Sequence, residues 1–252
     1  MVIVLTSLSA AMAGGAGVYS SLVGFQRLSL VPGYNFVGLS FKSVDNGRGF
    51  DIQEVFDTAP LKGGLKQAES DRLILWDVAA RAYIELWLFD SGGGNAEVDG
   101  KWMDSETGQR ANRSIFLGDG FWLVNTTLGE VEVVLSGEIE TGDVFLHAAL
   151  DGYNLIASAW PTDKAVNEMV LEGFTGGLTR AESDRLILWD PANQEYVEFW
   201  LFDSGGSNPY LDGKWIDRKT GDVADATRVV AAGSAVWVIK QTGGGLVEGR
   251  PF

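Results

Sequence analysis

A long internal repeat constrains what this chain can fold into more than any other feature. The segment Ala68–Trp102 returns as Ala181–Trp215, so matched residues lie 113 positions apart at both ends. Both copies begin A-E-S-D-R-L-I-L-W-D, continue through W-L-F-D-S-G-G and close on D-G-K-W. Self-similarity of this kind indicates a tandem duplication, so the fold has to be understood as one unit used twice.

The composition and the spacing of turns predict an all-β chain. Its 252 residues suit two domains of about 100–150 residues each. Short apolar runs alternate with turns that are rich in glycine. The whole chain has 33 glycines and 6 prolines. We therefore expect two tandem duplicated β-sandwich or barrel-like domains. The predicted division is an N-terminal extension at 1–20, a first β repeat at 21–140 and a second at 141–252.

Each domain is also predicted to contain one short helix. Asp51–Asp57 and Lys164–Leu171 both space apolar residues three and four positions apart, which is the helical period. Strands are predicted on either side, from Val23–Leu30 to a short final strand at Leu246–Glu248.

The repeated segment itself predicts a central β-hairpin. With Trp76 opposite Tyr83, the period of two places Arg72 on the same face as Glu85 and Trp87. Arg72 would then form an ion pair with Glu85 and a cation–π contact with Trp87. The second copy repeats this set as Arg185, Glu198 and Trp200. Both faces of the hairpin are apolar enough to need cover, so the ion pair is interpreted as part of the scaffold.

Eight of the nine tryptophans are matched between the copies, and most fit a buried core. W-L-F and F-W-L blocks inside aliphatic runs are typical of core strands. Trp102 and Trp215 follow D-G-K beside a polar loop, which makes them the two candidates for the surface. Because sugar-binding modules often present exposed tryptophans, a glycan stays open as a partner.

The polar loop that precedes each of these two tryptophans is a candidate for a calcium site. It gathers carboxylate and amide oxygens among glycines, as calcium requires. The spacing fits neither an EF-hand nor an RTX repeat, and ordinary turn chemistry also explains these residue types. Calcium is the one cofactor kept open, with candidate ligands Asp90, Asn95, Asp99, Asp203, Asn208 and Asp212.

Charge and residue inventory argue against several functions. The net charge of −15 disfavours nucleic acid and anionic membrane surfaces, which would repel the chain. With no cysteine and one histidine, metal sites built on nitrogen or sulfur are excluded, and a Ser-His-Asp triad could use only His147. No apolar run reaches the roughly 20 residues that span a bilayer. We expect a protein that is not an enzyme and has no membrane span.

The first residues allow two interpretations. Val2–Leu8 is apolar and β-prone, and Ala11–Ala13 gives an A-x-A pattern without a basic start before it. The segment is either a retained signal segment or a strand that is donated to a neighbouring subunit. In the second case the subunit interface comprises Val2, Ile3, Val4, Leu5, Leu246 and Val247.

Four motifs together resemble a known group of proteins. They are V-G-F-Q-R-L-S-L with V-P-G-Y-N-F-V-G, the copy G-Y-N-L-I at Gly152–Ile156, G-D-G-F-W-L at Gly118–Leu123 and the terminal G-R-P-F. The combination looks like a poorly characterised group of secreted β-rich proteins of planctomycete and verrucomicrobial bacteria. The resemblance covers Val23–Phe252 and implies a secreted or cell-surface location and tandem β units, without an activity. The second repeat departs from the pattern where G-D-G-F-W becomes A-G-S-A-V-W.

Two functions of different classes follow as hypotheses. The first is an extracellular structural protein, a self-assembling filament or surface-layer subunit that is joined to copies of itself by N-terminal strand donation. The second is an extracellular carbohydrate- or calcium-binding module. Two sequons, at Asn112 and Asn125, matter only where the host glycosylates them.

Overall fold

The computed structural model describes residues 3–5, 22–44, 49–56, 60–169 and 172–251, and in these residues the chain is all-β. The strands up to the end of the first repeat are β1 (Ile3–Leu5), β2 (Val23–Leu30), β3 (Gly33–Gly38), β4 (Phe50–Asp51), β5 (Arg72–Asp77), β6 (Ala82–Phe89), β7 (Lys101–Asp104), β8 (Ser114–Ile115), β9 (Gly120–Asn125) and β10 (Val131–Glu138). Those of the second repeat are β11 (Val144–Ala149), β12 (Gly152–Ala157), β13 (Lys164–Ala165), β14 (Arg185–Asp190), β15 (Glu195–Phe202), β16 (Lys214–Asp217), β17 (Val229–Val230), β18 (Ala235–Lys240) and β19 (Gly244–Gly249). None of the described residues belongs to a helix long and apolar enough to cross a membrane.

The two repeats build the same pair of sheets. The first has a five-stranded sheet in the order β3-β9-β5-β6-β7, and the second has β12-β18-β14-β15-β16. Against each of them packs a smaller sheet, formed around β2 and β10 in the first repeat and by β11 and β19 in the second. The predicted all-β class and duplicated sandwich character are therefore confirmed.

Alternation along the strands decides which side chains enter each core. In β10 every second residue is buried from Val131 to Leu135, and the residues between them face outward. These buried residues pack against the aliphatic face of the β5–β6 hairpin, where Leu73 and Leu86 are fully buried. Burying one such side chain stabilises the fold by about 1.5–3 kcal/mol relative to leaving it exposed.

The predicted short helices are wrong. After β4 the chain makes a turn, in which the N–H of Val55 donates to the carbonyl oxygen of Asp51 at 3.0 Å. In the second repeat the equivalent stretch forms one 3-10 turn at Val166–Glu168, and Gln67–Glu69 forms another before β5. Nucleating an α-helix is costly, so a segment this short between two strands closes as a turn. Residues 57 and 170–171 lie outside the described residues.

The second face of each five-stranded sheet joins the two repeats. Phe36 and Trp122 of the first repeat share one buried cluster with Trp237 of the second. Backbone hydrogen bonds also cross between the repeats, as where the N–H of Gly38 donates to the carbonyl oxygen of Gly233 at 2.7 Å. The repeats are therefore joined through an aromatic interface.

Candidate functional site

The central hairpin has the predicted register in both repeats. Trp76 pairs with Tyr83 across β5 and β6, and Trp189 pairs with Tyr196 across β14 and β15. The aliphatic faces of the two hairpins enter the two sandwich cores, and the opposite faces meet between the repeats. Each face therefore packs against another part of the chain, as the sequence predicts.

Four tyrosines line an open groove at the place where these faces meet. Tyr83 and Tyr196 are each 55% exposed, Tyr153 is 49% exposed and Tyr34 is 40% exposed. They belong to two matched pairs, one on the hairpins and one on β3 and β12. The floor between them consists of two buried rings, Trp122 and Trp237.

Hydrogen bonds between the repeats fix the walls of the groove. The indole Nε1 of Trp76 donates to the carbonyl oxygen of Tyr153 at 2.8 Å. In the matching contact, Nε1 of Trp189 donates to the carbonyl oxygen of Tyr34 at 2.7 Å. Because each repeat donates to the other in the same way, the groove has an approximate two-fold relation between its walls.

The groove has two parts, which share Tyr83 and Tyr196. The part toward the second repeat has a volume of about 1110 Å³, and the part toward the first has about 370 Å³. Partial burial and the nearby Tyr153 raise the pKa of Tyr83. Burial also raises the pKa of Tyr196, with Tyr83 as the next contribution. The phenol groups thus lie close together across the middle of the groove.

The first-repeat end of the groove holds the predicted ion pair. A guanidinium nitrogen of Arg72 lies 2.6 Å from a carboxylate oxygen of Glu85. Burial by itself lowers the pKa of Arg72, but hydrogen bonds to Glu85 and Tyr34 raise it above its ordinary value. This end therefore carries one cation and one anion in direct contact.

The predicted cation–π contacts with tryptophan are wrong. Arg72 lies over the ring of Tyr34, 5.9 Å from its centroid, and Trp87 does not take that place. Trp87 and Trp200 contact instead the phenylalanine two positions along their own strands, with ring centroids 5.5 and 5.8 Å apart. Tyr34 comes from β3, which is separated from β5 by β9, so the pattern of one hairpin could not have revealed it.

The second-repeat end differs, because three arginines surround one carboxylate. Glu198 lies 3.1 Å from Arg185, as predicted, and also 2.6 Å from Arg180 and 3.1 Å from Arg218. Burial would raise the pKa of Glu198, but hydrogen bonds from Arg180 and Arg185 outweigh it and hold that pKa below its usual range. The end therefore has more positive than negative charge in contact.

This cluster is a departure from the duplication. The hairpin residues Arg185 and Glu198 match Arg72 and Glu85, but three neighbouring cations have no cationic counterpart. The second repeat has Arg180, Arg218 and Lys219 where the first has Gln67, Ser105 and Glu106. The difference is readable in the sequence, yet only the fold shows that these positions surround one groove.

The loops predicted to bind calcium are closed by their own hydrogen-bond donors. The carboxylate of Asp99 accepts bonds from the backbone N–H and the hydroxyl of Ser91, both at 2.7 Å. Asp212 accepts the same two bonds from Ser204, both at 2.7 Å. These serine bonds are the main reason that the pKa of each aspartate is lowered. A calcium ion needs oxygen ligands directed inward, whereas here N–H and O–H groups point at the carboxylates.

The other predicted ligands take part in the same turns. Asp90 and Asp203 each accept a bond from the N–H of a loop glycine at 2.7 Å. Asn95 and Asn208 donate their backbone N–H to the loop serine at 2.8 and 2.7 Å. Over the described ranges no group of three or more His, Cys, Asp or Glu side chains could hold a metal ion. Calcium therefore stays a prediction that this geometry does not favour.

Five of the six residues predicted to form a subunit interface lie in strands that pair within the chain. Ile3–Leu5 forms β1 and pairs antiparallel with β2, while Val2 lies outside the described residues. Leu246 is fully buried. Val247 pairs with β11 on one side and exchanges two backbone hydrogen bonds with Glu172 on the other. β19 is therefore a paired strand within the chain, and a subunit interface at Leu246 and Val247 stays a prediction.

The single histidine belongs to a buried polar cluster. His147 is 5% exposed, and its Nε2 lies 2.9 Å from a carboxylate oxygen of Glu248. The hydroxyl of Ser158 donates to the same carboxylate at 2.6 Å. The acid thus lies between the serine and the histidine, which is not the order that a Ser-His-Asp triad requires.

The two tryptophans that the sequence offers as candidates for the surface are buried. Trp102 is 2% exposed and Trp215 is 0% exposed. They project from the inner faces of β7 and β16 into the two cores. Trp102 packs edge to face against Phe56 with ring centroids 6.1 Å apart, and Trp215 packs in the same way against Phe174 at 5.1 Å. The polar loop beside each tryptophan ends before the strand begins, so the polarity of the loop does not predict whether the tryptophan is exposed.

The two sequons differ in access. Asn112 is exposed. Asn125 is 1% exposed, and its amide nitrogen donates to the carbonyl oxygens of Leu30 and Gly129 at 3.0 and 2.8 Å. A glycan on Asn125 would have to break these bonds, so only Asn112 is placed for modification.

Comparison with protein-family models, with curated proteins and with solved structures finds no match for this chain. The resemblance to secreted planctomycete and verrucomicrobial proteins therefore stays a prediction.

Proposed function

We propose that this chain is an extracellular carbohydrate-binding module whose ligand lies in the aromatic groove between the repeats. The observation that carries the proposal is the row of four partly exposed tyrosines above a floor of two buried tryptophans. An extracellular location, which the resemblance implies, is part of the proposal.

Sugar rings suit such a surface for a physical reason. One face of a pyranose presents C–H groups with a small positive partial charge, and the face of an aromatic ring is negative. Tyrosine adds a hydroxyl that can exchange hydrogen bonds with the sugar, and the arginine and glutamate pairs at both ends offer charge-assisted ones. The larger part of the groove, about 1110 Å³, is spacious enough for several sugar units.

The groove is also held in shape before a ligand arrives. Trp76 and Trp189 are bonded to the opposite repeat through their indole nitrogens, at 2.8 and 2.7 Å. A site whose walls are already ordered spends less free energy on ordering when it binds. Rigid aromatic side chains add contact area at a low cost in conformational entropy.

Substitution of the two central tyrosines tests the proposal. Tyr83→Ala and Tyr196→Ala should each weaken binding of oligosaccharides by about tenfold, the range for aromatic residues at the centre of an interface. Both side chains are 55% exposed, so the fold should survive their removal. Titration calorimetry against a panel of neutral and acidic oligosaccharides measures the affinity. Tryptophan fluorescence gives a second readout, because Trp76, Trp122, Trp189 and Trp237 line the groove.

Tyr210→Ala is the matched control. Tyr210 is 88% exposed and lies away from the residues that line the groove, so its removal should leave binding unchanged. The proposal fails if no sugar of the panel binds the intact chain, or if the control and the groove variants lose affinity equally.

Self-assembly by strand addition is a second candidate, and a different observation favours it. In the first repeat β1 covers the edge of β2, giving the order β1-β2-β10. In the second repeat the corresponding sheet is β11-β19, so among the described residues no strand covers the matching edge of β11. Val144 and Leu146 on β11 are 61% and 64% exposed. A β1 segment that leaves β2 of its own chain would complete this sheet in a second copy. The stoichiometry of peptide binding described in the Discussion tests this.

A further inference from the structure

The end of the groove formed by the second repeat is lined by more cationic than acidic side chains. Resting on the function proposed above, we infer that the sugar is acidic, and that its carboxylate or sulfate group binds beside Arg180, Arg185 and Arg218. The two ends of the groove would then have different roles, and the ligand would bind in one direction.

The first argument is the local balance of charge. Three guanidinium groups contact the single carboxylate of Glu198 at 2.6 to 3.1 Å, which leaves two positive charges uncompensated by it. Five cationic and three acidic side chains line this part of the groove: Arg180, Arg185, Arg218, Lys219, Arg228, Glu195, Glu198 and Asp217. A positive site stands out in a chain whose net charge is −15, and it favours an anionic partner.

The second argument is that the fold does not need the additional cations. The first repeat forms the same hairpin, with the same register, around one arginine and one glutamate. Gln67 and Ser105 occupy the places of Arg180 and Arg218 there. Arginines that a duplicate of the same unit lacks are not required to hold the unit together.

The third argument is geometric access. The side chains of Arg180 and Arg218 are 42% and 61% exposed, while that of Glu198 is 9% exposed. The carboxylate therefore lies beneath the guanidinium groups and orients them toward the open groove. A guanidinium carries five N–H donors in a fixed fork, so each arginine keeps donors for carboxylate or sulfate oxygens after contacting Glu198.

The test exchanges the cluster for the residues of the first repeat. The triple variant R180Q/R218S/K219E is compared with the intact chain, using three oligosaccharides of equal length: a neutral glucan, a polyuronate and a sulfated glycan. We expect the intact chain to bind at least one of the acidic sugars, and the variant to bind it about tenfold or more weakly. Affinity for the acidic sugar should also fall as salt rises from 50 to 500 mM, because exposed charges are screened.

A control variant with the same net charge as R180Q/R218S/K219E tests whether the charge of the whole molecule explains the effect. R27Q/K62S/K66E changes the net charge by the same amount at exposed positions outside the groove, and it should leave the affinity for the acidic sugar within about twofold. Equal affinity of the intact chain for neutral and acidic sugars, or an equal loss of both in R180Q/R218S/K219E, would overturn the inference.

The outcomes separate this inference from the function on which it rests. If the neutral glucan binds and both acidic sugars do not, the groove is a sugar site and the inference is wrong. If no sugar binds, both are wrong. Binding of only the polyuronate or only the sulfated glycan supports the inference and identifies the anionic group.

Discussion

At the scale of single residues, the two repeats have polar side chains in one copy and apolar side chains in the other at two equivalent buried positions. His147 and Glu248 of the second repeat occupy the places that Leu28 and Leu135 hold in the core of the first. Burying a carboxylate is costly unless hydrogen bonds replace its water. Glu248 receives such bonds from His147, Lys164 and the Ser158 hydroxyl.

The result is a strongly shifted pKa. Burial alone would raise the pKa of Glu248, but its hydrogen bonds outweigh burial and hold it at about 2, against 4.5 for an ordinary glutamate. A group whose pKa is lower in the folded state stabilises the fold above its unfolded pKa. That stabilisation is lost as the pH falls from about 4.5 through about 2, and it corresponds to about 3 kcal/mol.

Glu248→Gln should remove this dependence on pH. We expect the variant to be less stable than the intact chain at pH 7 by about 3 kcal/mol, and the difference to shrink toward zero as the pH falls to 2. Urea unfolding at a series of pH values measures it. Glu132→Gln, on an exposed ion pair of β10, should keep the profile of the intact chain. Parallel profiles for Glu248→Gln and the intact chain would contradict the assignment.

At the scale of elements, the repeated A-E-S-D-R segment anchors the hairpin through a buried aspartate. Asp71 immediately precedes β5, and its carboxylate accepts bonds from the backbone N–H of Lys62 and Thr126, both at 2.7 Å. Asp184 precedes β14, is fully buried like Asp71, and has one partner of another kind, the ammonium group of Lys240. The position of Lys240 is Asn125 in the first repeat.

This difference predicts unequal costs for the same substitution. Asp71→Asn should destabilise the chain by about 1–3 kcal/mol, because it weakens bonds from neutral donors. Asp184→Asn should cost about 3–5 kcal/mol, since it leaves the buried ammonium group of Lys240 without a counter-ion. Denaturant unfolding followed by circular dichroism compares them.

A second substitution checks that the buried charge is the cause. Adding Lys240→Asn to Asp184→Asn should recover part of the lost stability, because the pair then contains no unpaired charge. Equal costs for the two single variants, or no recovery in the double variant, would show that Lys240 does not determine the difference.

The central hairpins show which contacts between strands a sequence pattern can predict. Their register and their two covered faces follow from the alternation of Arg72 to Trp76 and Tyr83 to Trp87. The same pattern could not identify Tyr34 as the ring beneath Arg72, because Tyr34 lies on a strand that is distant in the chain. Local periodicity predicts pairs on neighbouring strands, whereas a contact two strands away depends on the order of the sheet.

At the scale of the whole molecule, the repeats meet so closely that side chains are excluded at one point. A methyl group on Gly38 would lie 2.4 Å from the Cβ of Ala157, and one on Gly120 would lie 2.6 Å from the Cβ of Ala235. Around this contact the tryptophans pack edge to face, with Trp76 and Trp237 centroids 5.3 Å apart. Each such pair contributes about 0.5–1.5 kcal/mol beyond its buried area.

The edge of β11 that no strand of the described residues covers gives the prediction for assembly. A chain that lacks residues 1–17 should expose the edge of β2 as well as that of β11. A synthetic peptide of residues 1–9 should then bind with two copies per chain, one on each edge, as measured by calorimetry. Electron micrographs should show polymers of the intact chain and none of the shortened one. One peptide per chain, or unchanged polymers after the deletion, would exclude strand addition at β11.

The all-β class, the duplication and the register of the central hairpins can be predicted from the sequence, because they depend on local alternation and on matched residues. The sequence does not show which apolar face meets the other repeat, so it predicts neither the tyrosine groove nor the burial of Trp102 and Trp215. The tertiary structure alone shows that Arg180 and Arg218 join the predicted partner Arg185 on the carboxylate of Glu198. The physical reason is that burial and charge balance are properties of segments that lie far apart in the chain and become neighbours only when the sheets pack.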